Sequence, residues 1–516
     1  MKNIKGKIGE TLSGERFSSS VLTATLIAVI LVANTVIYTL FSYFGWQISA
    51  TAVEDFSISD NMEEVMERAA SVGEKVTVLF CYPEKNVKEH GTGGYVYRTA
   101  KEFEKRYPDS VELKYVNIIT NVTDDGSYLD VSKYAVDSDG NTMPITKTSV
   151  IFIYGDNHRV VTDTATDAGY ASFFVLDYSG TDPVPIAYNG EEVMAANICW
   201  VLEDEHKTAY FTTGHGEIID PAFADLISSA GYKTSDGYKI NTVDLKTAEV
   251  PENADLLIIS NPKTDFEASA EGSGARGESD KIRRYLEDGG NLYVSLNSLA
   301  NELKVLEGIL GDCGISLSYA ENEDGDRALN IVRDSADTIA LSGYTIVAGY
   351  ADTDDGGWLS ENVSKYSDGK VIISDVAALL LSGGAKPVLV SSSASQLFAH
   401  GVATDNKGGY TVAASAEIAG KNGEVGTVFV VPSTYLATTA SLVTNGYANK
   451  DFVYSILERF YGCSQLPYGT SIISFRTPML EGLTMKTANI YTAIIMAIPA
   501  AVAVTCAVVL IRRKNR

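Results

Sequence analysis

Two apolar runs without a single charged residue, 21–44 and 490–511, stand near opposite ends of this 516-residue chain. A helix rises about 1.5 Å per residue, so each run is long enough to cross a hydrocarbon layer of about 30 Å. Lys2, Lys5, Lys7 and Arg16 precede the first run, and Arg512, Arg513, Lys514 and Arg516 follow the second. Short basic flanks stay on the cytoplasmic side. The pattern predicts a plasma-membrane protein with a cytoplasmic tail at 1–20, transmembrane helices at 21–44 and 490–511, and a basic cytoplasmic tail at 512–516. The 445 residues between the runs are then extracytoplasmic. Asn34 and Pro499, one in each run, are candidate transmembrane contacts with a partner helix, since polar residues and prolines are accommodated where helices meet. Ala50-Thr51-Ala52 has the small-residue look of a leader cleavage site. Against that, secretory leaders carry apolar cores of only about 7–15 residues.

Composition removes several function classes. Acidic residues outnumber basic ones 66 to 41, and the only basic concentrations are the two tails, so no stripe for a nucleic-acid backbone exists. The five cysteines and five histidines form no CxxC, HxxxH or HExxH spacing, so neither a redox pair, a disulfide framework nor a metal centre is expected. Acidic clusters such as Asp352-Thr353-Asp354-Asp355 lack the ligand spacing of a calcium loop. No phosphate-binding GxxxxGK[ST] loop is present, and no cofactor is implied.

Between the apolar runs, two α/β regions are legible. The first, assigned to 47–204, opens with a helix over 60–71 capped by Asp60 and a buried strand over 76–82. An amphipathic helix over 95–107 and an alternating strand over 111–118 follow. A strand over 149–154, a turn at Gly155-Asp156-Asn157 and a helix over 191–203 close it. This β-α-β, β-β-α order is that of a thioredoxin-like domain, without its redox pair: Cys81 stands alone after the first strand. The second region, 205–465, alternates strands at 208–213, 242–245, 255–260 and 291–296 with helices at 222–230, 279–287 and 299–310. It ends with a strand over 426–431 and a helix over 451–461. Such alternation predicts a doubly wound, parallel α/β sheet of the flavodoxin or glutamine-amidotransferase kind. Residues 315–410, rich in Ser, Gly and Asp, read as an irregular insertion.

Thr213-Gly214-His215-Gly216-Glu217 after a strand, Asp255 to Pro262, and Tyr285-Leu286-Glu287-Asp288-Gly289-Gly290 together resemble the GldG-like auxiliary components of ABC (ABC-2-type) transporters, a family described with bacterial gliding motility. The resemblance covers most of 20–516 in layout and 205–310 in motifs. It implies a non-enzymatic, membrane-anchored accessory subunit of an exporter, working beside an ABC permease and a separate ATPase. Its extracytoplasmic domains would then bind substrate, partner subunits or envelope components.

The residues most open to chemistry are Gly214, His215, Gly216 and Glu217. They stand at the C-terminal end of a strand, where open α/β sheets bind ligands. Asn261, Asp244 and Asp255 are placed near the same crevice. Two readings follow. The glycines form a binding or structural turn in which His215 and Glu217 hold neighbouring backbone, or His215 and Glu217 serve a membrane-tethered hydrolase. No GxSxG elbow or Cys nucleophile accompanies them, so no catalytic residue is assigned.

Overall fold

A computed structural model of the chain describes residues 56–475 except 72, 137–141, 163–168, 178–179, 181–182, 237–238, 270–275, 299–301, 340–341, 445 and 464–465. The chain divides into two units, Met1–Ser57 and Ile58–Arg516, and all described residues but Phe56 and Ser57 lie in the second. No helix among the described residues is long and apolar enough to cross a membrane. The longest of them has 14 residues, or about 21 Å at the α-helical rise. The expected fold class, with flanking transmembrane helices, is therefore corrected to a mixed α/β fold. The membrane-protein and plasma-membrane assignments drawn from those helices are withdrawn with it. The runs at 21–44 and 490–511, with Asn34 and Pro499, lie outside the described residues.

The first half of the second unit is built on a five-stranded sheet. Its elements are α1 (Glu63–Ser71), β1 (Val76–Phe80), α2 (Glu84–Glu89), α3 (Gly93–Arg106), β2 (Val111–Asn117), β3 (Val122–Thr123), β4 (Val150–Tyr154) and β5 (Asn157–Val161), in spatial order β3-β2-β1-β4-β5. Strands β1 and β2 run parallel across α3, and β4 and β5 form an antiparallel hairpin beside β1. A second hairpin, β6 (Phe174–Asp177) and β7 (Val184–Tyr188), also pairs with the late strand Ile473–Ser474. Asp60 is not an N-cap: it opens a 3-10 turn, Asp60–Met62, whose N-cap is Ser59 and which leads into α1, and its carboxylate pairs with Arg106.

Helix α4 (Gly190–Val201) joins the two halves. Ten of its twelve residues are buried, the burial expected of a helix apolar nearly all round. One side packs on β4 and β5, and another on α5 (Pro221–Ser229), the first helix of the second half. The two sheets are thus cemented through one shared helix.

The second half begins with β8 (Ala209–Thr213). A small hairpin of β9 (Ser235–Asp236) and β10 (Lys239–Ile240) leads to β11 (Thr242–Asp244), β12 (Leu256–Ser260), α6 (Glu278–Glu287), β13 (Asn291–Ser295) and α7 (Lys304–Asp312). Alternate residues of each strand point to opposite faces. Leu256 and Ile258 enter a core with Phe223 and Leu226 of α5, while Leu257 and Ile259 enter another with Ile282 of α6 and Leu306 of α7. Both faces are covered, which is why these strands read as continuous apolar runs.

The sheet is not wholly parallel. With the late strand Val425–Val431, the order β11-β8-β12-β13 extends by one more parallel neighbour. The antiparallel strands Thr411–Ala419, Lys386–Val390, Thr345–Tyr350 and Val371–Ser374 then continue the sheet. The doubly wound expectation is corrected to a mixed sheet, and the supposed insertion at 315–410 supplies much of its antiparallel side. Val332, Ile346, Ile373 and Val388 belong to the same core as Phe223.

Candidate functional site

Strand β8 is flanked by the strands that follow it in sequence, β11 on one side and β12 on the other. The chain passes from β8 to β11 on one side and from β11 back across to β12 on the other, so the C-terminal ends of β8 and β12 border the point where the order reverses. Open α/β sheets form ligand crevices at such points. Gly214 to Glu217 follow β8 directly, and Asn261 follows β12.

Backbone conformation explains the residue types. Gly214 has φ +107° and Gly216 φ +74°, a region that side chains with a Cβ rarely adopt. A Cβ on Gly214 would also stand 2.8 Å from Asp244 Oδ1. Asn261 has φ +55°, and asparagine is among the residues that tolerate it. These turns bring the two loops into direct contact. The amides of Lys263 and Thr264 donate to the His215 carbonyl at 2.8 and 3.1 Å, and the Ile218 amide donates to the Ser260 carbonyl at 3.1 Å. The Lys246 ammonium donates to the Gly214 carbonyl at 3.0 Å.

His215 turns inward and is 1% exposed. Its Nε2 lies 2.9 Å from Glu278 Oε1, and its ring stacks on Phe266 with centroids 4.1 Å apart. The carboxylate is the acceptor, which assigns the ring proton to Nε2. Glu278 is 1% exposed, and its second oxygen accepts the Glu267 amide at 2.7 Å. It occupies the first turn of α6, where the helix dipole favours a negative charge. His215 Nδ1 has no hydrogen-bond partner among the described residues. Glu217 reaches back two residues to accept the His215 amide at 2.7 Å.

Of the residues singled out from sequence, Gly214, His215, Gly216, Glu217, Asn261 and Asp244 meet at this end of the sheet. Asp255 does not. It precedes β12, at the far end of a five-residue strand, about 17 Å away at the rise of a strand. There its carboxylate accepts the Thr208 amide at 2.8 Å. Glu278 had no motif to announce it: a glutamate in a first helical turn is ordinarily a solvated dipole partner. No cluster of three or more potential metal ligands occurs among the described residues. Cys81, expected to stand alone, is unpaired and buried, and burial pushes its thiol up to about 12. It is held as a neutral core residue rather than a reactive thiolate.

A second site escaped the sequence altogether. A cavity of about 420 Å³ lies between β5, β6, α4 and α5. Arg159 of β5 and Asp225 of α5 line it. The Arg159 guanidinium sits 3.8 Å from the centre of the Trp200 ring and donates to Ser228 Oγ at 2.7 Å. Burial lowers the Arg159 guanidinium to about 10. Asp225 is exposed to solvent, yet the protein around it raises its carboxyl to about 6; the charges of Glu192 and Asp220 add to the rise and Arg159 opposes it. Lys450 and Glu192 also line the cavity but satisfy each other at 2.9 Å. No short motif marks this site, because its charges come from a hairpin and a helix some 65 residues apart in sequence.

No protein-family model matches the chain, and no curated protein sequence matches it. Three solved structures show limited likeness. The N-terminal domain of mmIFT52 is 15% identical with a TM-score of 0.34, over 50% of this chain and 99% of that one. A ThuA-like protein from Bacteroides uniformis is 13% identical with a TM-score of 0.30, over 50% and 91%. A cold-adapted β-galactosidase from Rahnella sp. R3 is 11% identical with a TM-score of 0.27, over 52% and 33%. None of the three points to an ABC-transporter component.

Proposed function

We propose that the chain is a non-enzymatic accessory subunit of an ABC-type exporter, whose folded body binds substrate, partner subunits or envelope components while a separate permease and ATPase supply passage and energy. The observation that carries the non-enzymatic part is the burial of His215 against Glu278. A general base must come within hydrogen-bond reach of the proton it removes. Here Nε2 is occupied by a buried carboxylate and the ring is 1% exposed. The glycines serve the tight path that sends the side chain inward. A hydrolase working from Gly214 to Glu217 would need the opposite arrangement. The exporter part is supported by the likeness of the 205–310 motifs to GldG-like components, and by a chain that lacks an ATP-binding loop of its own.

The test is affinity purification of the tagged full chain from cells expressing the transporter genes beside it. Recovery of both permease and ATPase in a constant ratio is expected. Repeated isolation of the chain alone would overturn the exporter reading, and hydrolytic activity abolished by His215→Ala in a folded protein would overturn the non-enzymatic one.

A further inference from the structure

The cavity between β5, β6, α4 and α5 lies where the two halves of the body meet: β5 and β6 come from the first, α5 from the second, and α4 joins them. Small-molecule sites of about 300–1,000 Å³ concentrate at such junctions, and this cavity measures about 420 Å³. Its charges are already in balance. Lys450 and Glu192 pair at 2.9 Å. Arg159 and Asp225 attract one another along the same wall. Ser228, which accepts a hydrogen bond from the Arg159 guanidinium, lies three residues after Asp225 on α5, and residues at that spacing share a helix face.

What Arg159 and Asp225 lack is hydrogen bonds, not charge. Asp225 is exposed, and among the described residues no hydrogen bond reaches its carboxylate. The bond to Ser228 uses one of the five guanidinium N–H donors. Trp200 holds the guanidinium at 3.8 Å from its ring centre, by the face and not by the donor edge. The remaining wall mixes both kinds of surface, with Phe174, Val193 and Leu442 beside Ser172, Ser229 and Thr439.

These features sort the classes of ligand. An anion set on Arg159 would stand close to the Asp225 carboxylate, and a cation set on Asp225 close to the guanidinium. A hydrocarbon chain would strip water from both groups and return no hydrogen bond. A hydroxyl both donates and accepts, so neighbouring hydroxyls give to Asp225 and take from Arg159 without adding charge. We propose that this cavity binds a neutral sugar of the mono- or disaccharide class, with adjacent hydroxyls on Asp225 and Arg159 and its C–H surface on the apolar part of the wall. The proposal does not rest on the exporter reading, so partner recovery and sugar binding succeed or fail separately.

Calorimetric titration of the full chain with glucose, maltose, cellobiose and lactose tests it. Saturable binding of at least one sugar is expected. Counterparts of that sugar carrying one charge, as a uronic acid or an amino sugar, should bind more weakly. Asp225→Ala should weaken binding about tenfold or more, as loss of a hydrogen bond to a charged group does. Its side chain is exposed, so this variant should melt at or above the wild-type temperature, and its loss of binding is then not a loss of fold. Arg159→Lys, which keeps the charge and loses the planar fork of donors, should weaken binding as well. Absence of saturable binding for all four sugars, tighter binding of a charged counterpart, or unchanged affinity in Asp225→Ala would overturn the proposal.

Discussion

His215 Nε2 and Glu278 Oε1 lie 2.9 Å apart with both side chains sealed from solvent. The pair links the loop after β8 to the first turn of α6, two segments 63 residues apart. A histidine in this position acts as a rivet between sheet and helix. Its neighbours Gly214 and Gly216 take positive φ angles that the path of the backbone requires.

Gly214 should tolerate no side chain. Its positive φ acts together with Asp244 Oδ1, which lies 2.8 Å from where a Cβ would stand. Gly214→Ala is expected to destabilise the fold by about 1–3 kcal/mol, the range for a strained backbone conformation, and Gly214→Val by more. Urea unfolding followed by circular dichroism measures both.

Glu191 clamps the two ends of the described region. One carboxylate oxygen accepts the amide and hydroxyl of Ser59 at 2.7 and 2.6 Å, and the other accepts those of Ser471, both at 2.9 Å. Glu191→Gln replaces an acceptor oxygen with an NH2 group that faces donors. A loss of about 1.5–3 kcal/mol is expected, the value of hydrogen bonds to a charged group. Limited proteolysis should then cut first near Ser59 or Ser471.

Asp225 sets a pH dependence with a definite sign. Its carboxyl is raised to about 6 in the folded chain, above the ordinary 3.8. Between those values the folded state holds a proton that the unfolded state releases, so this group's contribution to stability grows as pH falls through about 6. Above that window the ionised carboxylate weakens the fold. Asp225→Asn should melt higher than wild type near pH 8, and the gap should shrink toward pH 4. Thermal melts of both proteins across that range check it. A gap that widens on acidification would contradict the assignment.

Much of the architecture could be read from the chain because most elements carry a strong period or a clear stop. The strands at 76–80, 209–213 and 256–260 are mostly apolar stretches of five residues, and α6 is followed by Asp288-Gly289-Gly290, with Gly289 at φ +90°. The stretch 315–410 gave no such signal. Its strands are mostly three to six residues long, too short for a period to show, and several, such as Thr345–Tyr350 and Lys386–Val390, bury side chains in a core shared with residues distant in sequence. At the His215 turn, the spacing located the loop but not the direction of the side chain. Sequence cannot distinguish a histidine that faces the crevice from one that faces the core, because the decision is made by Glu278 and Phe266, which the fold brings in from outside the motif.

A double-mutant cycle of His215→Ala and Glu278→Ala, read by chemical unfolding of the full chain, tests most directly whether the Gly-His-Gly-Glu turn is structural. Removing either partner strands the other in the core, so each single variant should lose about 3–5 kcal/mol. The double variant should lose less than the two losses added together, with a coupling of about 1–3 kcal/mol. Single losses below about 1 kcal/mol that simply add, as surface side chains give, would place His215 outside the core and contradict the structural role.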